Sequence, residues 1–284
     1  MNEKVLGVIL VWVIFVVVGF VYFVFPTNVC GDGTDFDSCS KDKPYFCDEG
    51  ALVRNAEVCG CPEGFTKYYS VCTSKYQTGP KKVYLNYVLD GEVQKIGFVV
   101  YEGVKNYTQT IPRFISYYDG SVPLRQDFKL KNINEPVQRE FLLPLVKEIQ
   151  DLTWSKKEQA RIAISLVQNI PYGELNETIL VGSQNLNSSR YAYEVVYDMH
   201  GICGEKSELL AFLLKEIGYG VSIFYYGEEN HEAVGLKCSS LRDYKDTSYC
   251  FIETTGISNG EVKALSTPEV IPISDGDSFG FASL

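Results

Sequence analysis

Histidine is almost missing from this chain: His200 and His231 are the only two in 284 residues, so any imidazole chemistry rests on one of them. Basic charge is also short, with 26 Lys and Arg against 36 Asp and Glu and a formal net charge of -10. No basic stripe is available to neutralise phosphates, which sets nucleic-acid binding aside as a primary role. Internal repeats and low-complexity tracts are lacking. A content of 45% hydrophobic and 22% charged residues excludes disorder and collagen-like architecture. Tryptophan is confined to Trp12 and Trp154.

What is abundant is unevenly spread. Val5 to Phe25 is a charge-free run of 21 residues, and about 20 apolar residues cross the hydrocarbon core of a bilayer. A cleaved signal peptide would carry an apolar region of only ~7–15 residues before a small-residue cleavage site, whereas this run leads into Pro26 and Thr27. The run is read as a single-pass anchor in the cell membrane. Lys4 precedes it, and Asp32, Asp35 and Asp37 are the first charges after it. By the positive-inside rule the N-terminus is cytoplasmic and the main domain extracytoplasmic.

Six of the nine cysteines, Cys30, Cys39, Cys47, Cys59, Cys61 and Cys72, lie within residues 27–79. That segment is too poor in aliphatics to form its own core, and no C-x2-C pair marks a zinc site. A disulfide-stapled module in an oxidising space is expected, with its pairing open. The stretch Cys39 to Gly64 resembles small membrane-proximal cysteine modules of archaeal surface proteins. Asp32, Asp35 and Asp37 lack the strict calcium-loop pattern and read as a solvated turn. Sequons at Asn106, Asn176 and Asn187 are compatible with an exterior location.

Gly79-Pro80 marks a boundary, and residues 80–135 read as β-rich. Val83 to Leu89 and Val93 to Tyr101 are strand-like and joined by Asp90-Gly91, a hairpin signal; mixed strand and turn residues follow to about Asn134. Helical periodicity then places Phe141, Leu142, Leu145, Val146 and Ile149 on one face of Pro136 to Leu152, with a kink expected at Pro144. Ser155 with Glu158 forms a capping box for a helix that ends before Pro171.

The segment from Tyr197 to Gly218 reads as a turn feeding a helix, with Leu209, Leu210, Leu213, Leu214 and Ile217 as its apolar stripe and Gly218 closing it. Cys203 therefore sits at the helix N-terminus, where unpaired N–H groups and the dipole favour a thiolate. Glu205 works against this as a nearby negative charge. Val221 to Tyr226 reads as a strand, followed by His231 on a second strand and Glu253 on a third. A thiol at a helix start, a histidine and a carboxylate on successive strands form the cysteine version of a catalytic triad. His200 reads as a turn residue. Gln168 and Tyr172 are conceivable oxyanion donors, with packing or exposure the plainer reading for both.

This order, G-x-C-x-E-K, a Leu-rich helix, His231 and then Ile252-Glu253-Thr254-Thr255, resembles the transglutaminase-like superfamily of the papain-like fold over roughly residues 155–256. The resemblance implies Cys203 as nucleophile, His231 as base and Glu253 as the acidic member. The family mostly has Asp where this chain has Glu253, and often Trp where it has Ala233. The tryptophan of cross-linking enzymes has no obvious counterpart, which counts against protein cross-linking and leaves hydrolysis of amide or ester bonds open.

The expectation is an α+β protein with four parts: a tip and anchor at 1–26, the cysteine-rich module at 27–79, the β-rich segment at 80–135 and a transglutaminase-like domain at 136–284. Its activity would be amide or peptide hydrolysis, or acyl transfer, through a Cys203 thioester. The substrate would be a protein or peptide, and no metal or organic cofactor is expected. The alternative is a catalytically inactive surface module that binds peptide or glycan in the same cleft.

Cys238 and Cys250 are expected to pair, which leaves Cys203 free. Alternation along regular strands puts His231 and Glu253 on one face and the two cysteines on the other. Setting Cys238 directly opposite Cys250 would hold Glu253 opposite Gly235, ~13 Å along the strand from His231. A bulge, or cysteines joined beyond the end of the ladder, is needed to bring the pair together.

Overall fold

The computed structural model describes residues 28–118, 120–173, 189–238, 243–255 and 265–279, with the backbone of 178–181 and 184–187. The run 5–25 lies outside the described residues, and no described helix is long and apolar enough to cross a membrane.

The fold is α+β, with antiparallel sheets and mixed helices. In chain order the elements begin with β1 (Tyr45–Asp48), β2 (Ala51–Arg54), α1 (Ala56–Cys59), β3 (Thr66–Tyr68) and β4 (Val71–Thr73). A long hairpin, β5 (Pro80–Leu89) and β6 (Glu92–Tyr101), precedes α2 (Glu102–Thr110), α3 (Arg125–Ile133), α4 (Pro136–Leu152) and α5 (Lys156–Gln168). After β7 (Thr178–Val181) and β8 (Gln184–Asn187) come α6 (Ala192–Asp198), α7 (Cys203–Ile217), β9 (Val221–Tyr226), β10 (His231–Lys237), β11 (Tyr249–Ile252) and β12 (Glu269–Ser274).

The hairpin turns at Asp90 and Gly91, both with positive φ, as a two-residue turn between right-twisted strands requires. Its inner face, with Val83, Leu85, Tyr87, Ile96, Phe98 and Val100 buried, packs on α5. Residues 102–110 and 125–133 correct the β-rich reading of 80–135: they form α2 and α3, not further strands. Val, Tyr and Thr in α2 carry strand propensity, but burial of Val104 and Thr108 four positions apart lets tertiary packing decide. Helix α4 runs unbroken past Pro144. Only half of the capping box at α5 forms: Ser155 Oγ accepts from Glu158 N–H at 3.3 Å, while the Glu158 carboxylate turns to Arg161.

Disulfides Cys30–Cys47, Cys39–Cys59 and Cys61–Cys72 staple the N-terminal module. The module shares the main core rather than standing alone, since Cys30, Tyr45, Cys47 and Leu52 belong to the same buried cluster as the helices. Asp32 corrects the solvated-turn reading. Its carboxylate is buried, accepts from Ser40 Oγ at 2.7 Å and pairs with the buried Lys147 of α4 at 3.3 Å. Burial works to raise its pKa, but the hydrogen bonds from Ser40 and Thr34 and the Lys147 charge hold it below the ordinary value. Four disulfides, the fourth joining Cys238 to Cys250, indicate an extracytoplasmic location.

The four-stranded sheet has the order β11-β10-β9-β12, all antiparallel. Alternation divides its faces. Val221, Ile223, Val234, Leu236, Ile271 and Ile273 join the main core, while Phe224, Tyr226 and Ala233 join Tyr244, Tyr249 and Phe251 in an aromatic cluster. Helix α7 packs against this sheet and against α4, α5 and α6. Covered on all sides, it buries Ala211 and Phe212 as well as the predicted leucine stripe.

Candidate active site

Cys203 opens α7, and among the described cysteines it is the free one. The chain reaches it through Met199, in the left-handed region at φ 58°, and through Gly201, which forms a parallel bridge with Tyr172. His200, in that turn, places its Nδ1 3.0 Å from the Asp198 carbonyl, a turn role as expected.

His231 begins β10 after the four-residue turn 227–230, whose last residue, Asn230, is also left-handed. Its ring stacks on Tyr226, the residue opposite it on β9. Its Nε2 lies 2.9 Å from Glu253 Oε2. The other Glu253 oxygen accepts from Thr254 N–H at 2.9 Å, Thr255 N–H at 3.0 Å and Thr255 Oγ1 at 2.7 Å. His231 also interacts with the Cys203 thiol. That hydrogen bond, followed by the one to Glu253, raises the imidazole pKa from 6.5 to about 10 against the opposing effect of burial. For Glu253, burial acts upward, but the His231 and Thr255 hydrogen bonds prevail and hold the carboxyl at about 2. At neutral pH the pair is imidazolium and carboxylate.

The structure thus brings Cys203, His231 and Glu253 together. The strand register that does so differs from a direct Cys238–Cys250 pairing. Cys250 stands opposite Leu236, and Ile252 opposite Val234, so the next step of the ladder sets Glu253 against Ala233, two residues or ~7 Å from His231. Cys238 lies beyond the end of β10 and reaches Cys250 diagonally, closing the disulfide past the ladder. Ala233 is fully buried against the Phe224 side of the sheet, which leaves no space there for a tryptophan.

The residues after Cys203 form a hub that the sequence does not announce. Gly204 admits the Glu232 carboxylate so closely that a Cβ there would stand 3.1 Å from Oε2. Glu205 is bound by the fully buried Arg190, with Nε at 3.0 Å and Nη2 at 2.8 Å, and it accepts from Ile202 N–H at 3.0 Å. Its charge, which stood against a thiolate at Cys203, is therefore matched. Lys206 Nζ donates to the Ile170 carbonyl at 2.6 Å and the Gln168 carbonyl at 3.4 Å. Ser207 Oγ donates to the Glu232 carbonyl and meets Thr254 Oγ1, both at 3.2 Å. Glu208 pairs with Lys129 at 2.7 Å, and Lys129 also holds Glu232 at 2.7 Å. Four consecutive side chains thus tie the start of α7 to five other segments. A cluster of polar residues opening an otherwise apolar helix was the available signal.

Gln168 spends its side-chain amide on the Glu253 carbonyl at 2.7 Å, a positioning bond rather than a donor open to substrate. Tyr172 is more than half exposed. A cavity of about 410 Å³ lies beside the helix start, lined by Phe128, Lys129, Asn132, Glu208 and Glu232 among others. Among the described residues, no group of three or more His, Cys, Asp or Glu side chains is arranged to hold a metal ion. Comparison with protein-family models, with curated proteins and with solved structures finds no match to this chain.

Proposed function

We propose that this chain is a membrane-anchored, extracytoplasmic cysteine enzyme of transglutaminase-like type that cleaves amide bonds, or transfers their acyl groups, on protein or peptide substrates. The observation that carries the reading is the Glu253–His231 contact at 2.9 Å with His231 in turn hydrogen-bonded to Cys203.

Glu253 fixes the ring by holding Nε2, so Nδ1 is the nitrogen that serves the sulfur. Cys203 Sγ attacks the substrate carbonyl carbon as the thiolate, and His231 carries the proton. The tetrahedral oxyanion falls toward the N–H groups at the start of α7. As the C–N bond breaks, His231 gives its proton to the leaving amine and a thioester remains on Cys203. Water, or an acceptor amine, loses a proton to His231 and attacks the thioester, which returns the thiolate and releases the acyl group.

The test is alkylation of Cys203 by iodoacetamide near pH 7, followed by intact mass. The wild-type thiol should react roughly tenfold faster than an unactivated one, and His231→Ala should abolish the difference. Profiling on a peptide and amine-donor library should then show turnover that Cys203→Ala removes while leaving the circular dichroism spectrum unchanged. A Cys203 no more reactive than a free thiol would turn the reading to a binding module.

A further inference from the structure

We propose that the corner between α4 and α5, led by Trp154 and Leu152, docks on the bilayer surface and holds the Cys203 site a helix length away from it. This rests on the reading of residues 5–25 as the anchor. Trp154 is 56% exposed and Leu152 40%, at a corner where a loop tip would ordinarily be polar. The chain enters the domain beside them. Phe36 N–H donates to the carbonyl of Asn28, the first described residue, at 2.8 Å. A Cβ built on Gly50 would stand 2.9 Å from Trp154 Cζ2 and 3.8 Å from Phe36 Cε1. Asn28, Phe36, Gly50 and Trp154 are therefore successive neighbours.

Only Pro26 and Thr27 separate Asn28 from Phe25, the last residue of the charge-free run, so Asn28 lies within about 10 Å of the end of that run. Such a tether leaves the Trp154 corner at the depth of the lipid headgroups, where the amphipathic indole is favoured. It also makes the contact intramolecular, so a small patch suffices. Electrostatics do not drive it. Asp48 and Glu49 precede Gly50, Lys156 is engaged with Asp277 at 2.7 Å, and the chain is acidic overall.

The consequence for the site follows from two antiparallel helices. Helix α5 starts beside Trp154 and runs 13 residues to Gln168, about 20 Å. Helix α7 runs back: its C-terminal Gly218 adjoins Lys156 Nζ, and at its other end Lys206 is bonded to the Gln168 and Ile170 carbonyls. Cys203 thus opens about 20 Å from the docked corner.

Trp12 and Trp154 are the two tryptophans, so full-length protein carrying Trp12→Phe has Trp154 as its one indole. In phosphatidylcholine vesicles, lipids brominated near the headgroup end of the acyl chain should quench Trp154 emission at least twofold, and the vesicles should shield it from aqueous iodide. Strong iodide quenching with no effect of brominated lipid overturns the docking while leaving the anchor intact. Protein that fails to float with the vesicles overturns both. Cys203 alkylation in the same sample reports separately on the enzyme reading.

Discussion

His231 Nε2 and Glu253 Oε2 meet at 2.9 Å although 22 residues separate them, and the Leu236–Cys250 register of β10 and β11 makes that meeting possible. The disulfide lies at the far end of the same two strands, joining Cys238 beyond the ladder to Cys250 within it. It is a clamp on register, and His231 lies at the opposite end of β10.

Removing the clamp should therefore have two separable effects. The double variant Cys238→Ser/Cys250→Ser frees a loop whose ends are 12 residues apart and should lose about 3 kcal/mol of stability, read from the urea midpoint. Under conditions where the variant remains folded, Cys203 alkylation should slow, because a sliding β10 no longer aims His231. An unchanged midpoint would remove the stabilising role, and an unchanged alkylation rate the aiming role.

The His231–Glu253 pair predicts a pH profile. His231 has a folded pKa of about 10, above its unfolded 6.5. Its stabilisation is complete below pH 6.5 and disappears as pH rises through 10. Glu253, lowered from 4.5 to about 2, stabilises above pH 4.5 and loses that effect as pH falls through 2. The melting-temperature difference between wild type and His231→Gln should thus be greatest between pH 4.5 and 6.5 and decline toward both extremes. A difference constant from pH 5 to pH 10 would show that His231 does not hold its proton as the contacts imply.

Arg190 predicts a buried-charge effect. Its side chain has no exposure, it meets Glu205 at 2.8 Å, and it donates to the Gly173 carbonyl at 2.8 Å. Arg190→Met should cost about 3–5 kcal/mol by leaving the Glu205 carboxylate buried and unpaired next to the helix start. Arg190→Met/Glu205→Gln should recover a large part of that loss in urea unfolding. Equal losses in the single and double variants would mean that packing, not charge, is what Arg190 supplies.

The legible parts of this fold have signals within a few residues. The Asp90-Gly91 turn, the Ser155 cap, β9 and the leucines of α7 all declare themselves locally, and so does the order of Cys203, His231 and Glu253. Helices α2 and α3 do not, because they are short and carry residues that also suit strands, and only burial of Val104 and Ile133 fixes them. Arg190, Lys129 and Lys206 stayed hidden because a charged side chain in sequence reads as solvated. Their carboxylate or carbonyl partners lie 15 to 103 positions away. Asp32 misled for the same reason, its partner Lys147 being 115 positions distant.

Lys206 is the strongest of these hidden supports, since it acts on Glu253 through Gln168. Its Nζ holds the Gln168 and Ile170 carbonyls, and the Gln168 amide holds the Glu253 carbonyl. Lys206→Met keeps the apolar stem and removes the donors. Leaving Ile170 O without its partner should cost about 1–2 kcal/mol net of the desolvation relieved, and Cys203 alkylation should slow as Glu253 loosens. Burial lowers the ammonium to about 8 from 10.5, with Glu253 pulling the other way. A lysine depressed in the folded state opposes folding while charged, and that opposition fades as pH climbs from about 8 to 10.5. The stability gap between wild type and Lys206→Met should therefore widen over that interval. Urea unfolding at pH 7 and pH 10 decides it: a gap that stays constant would mean that Lys206 does not titrate there.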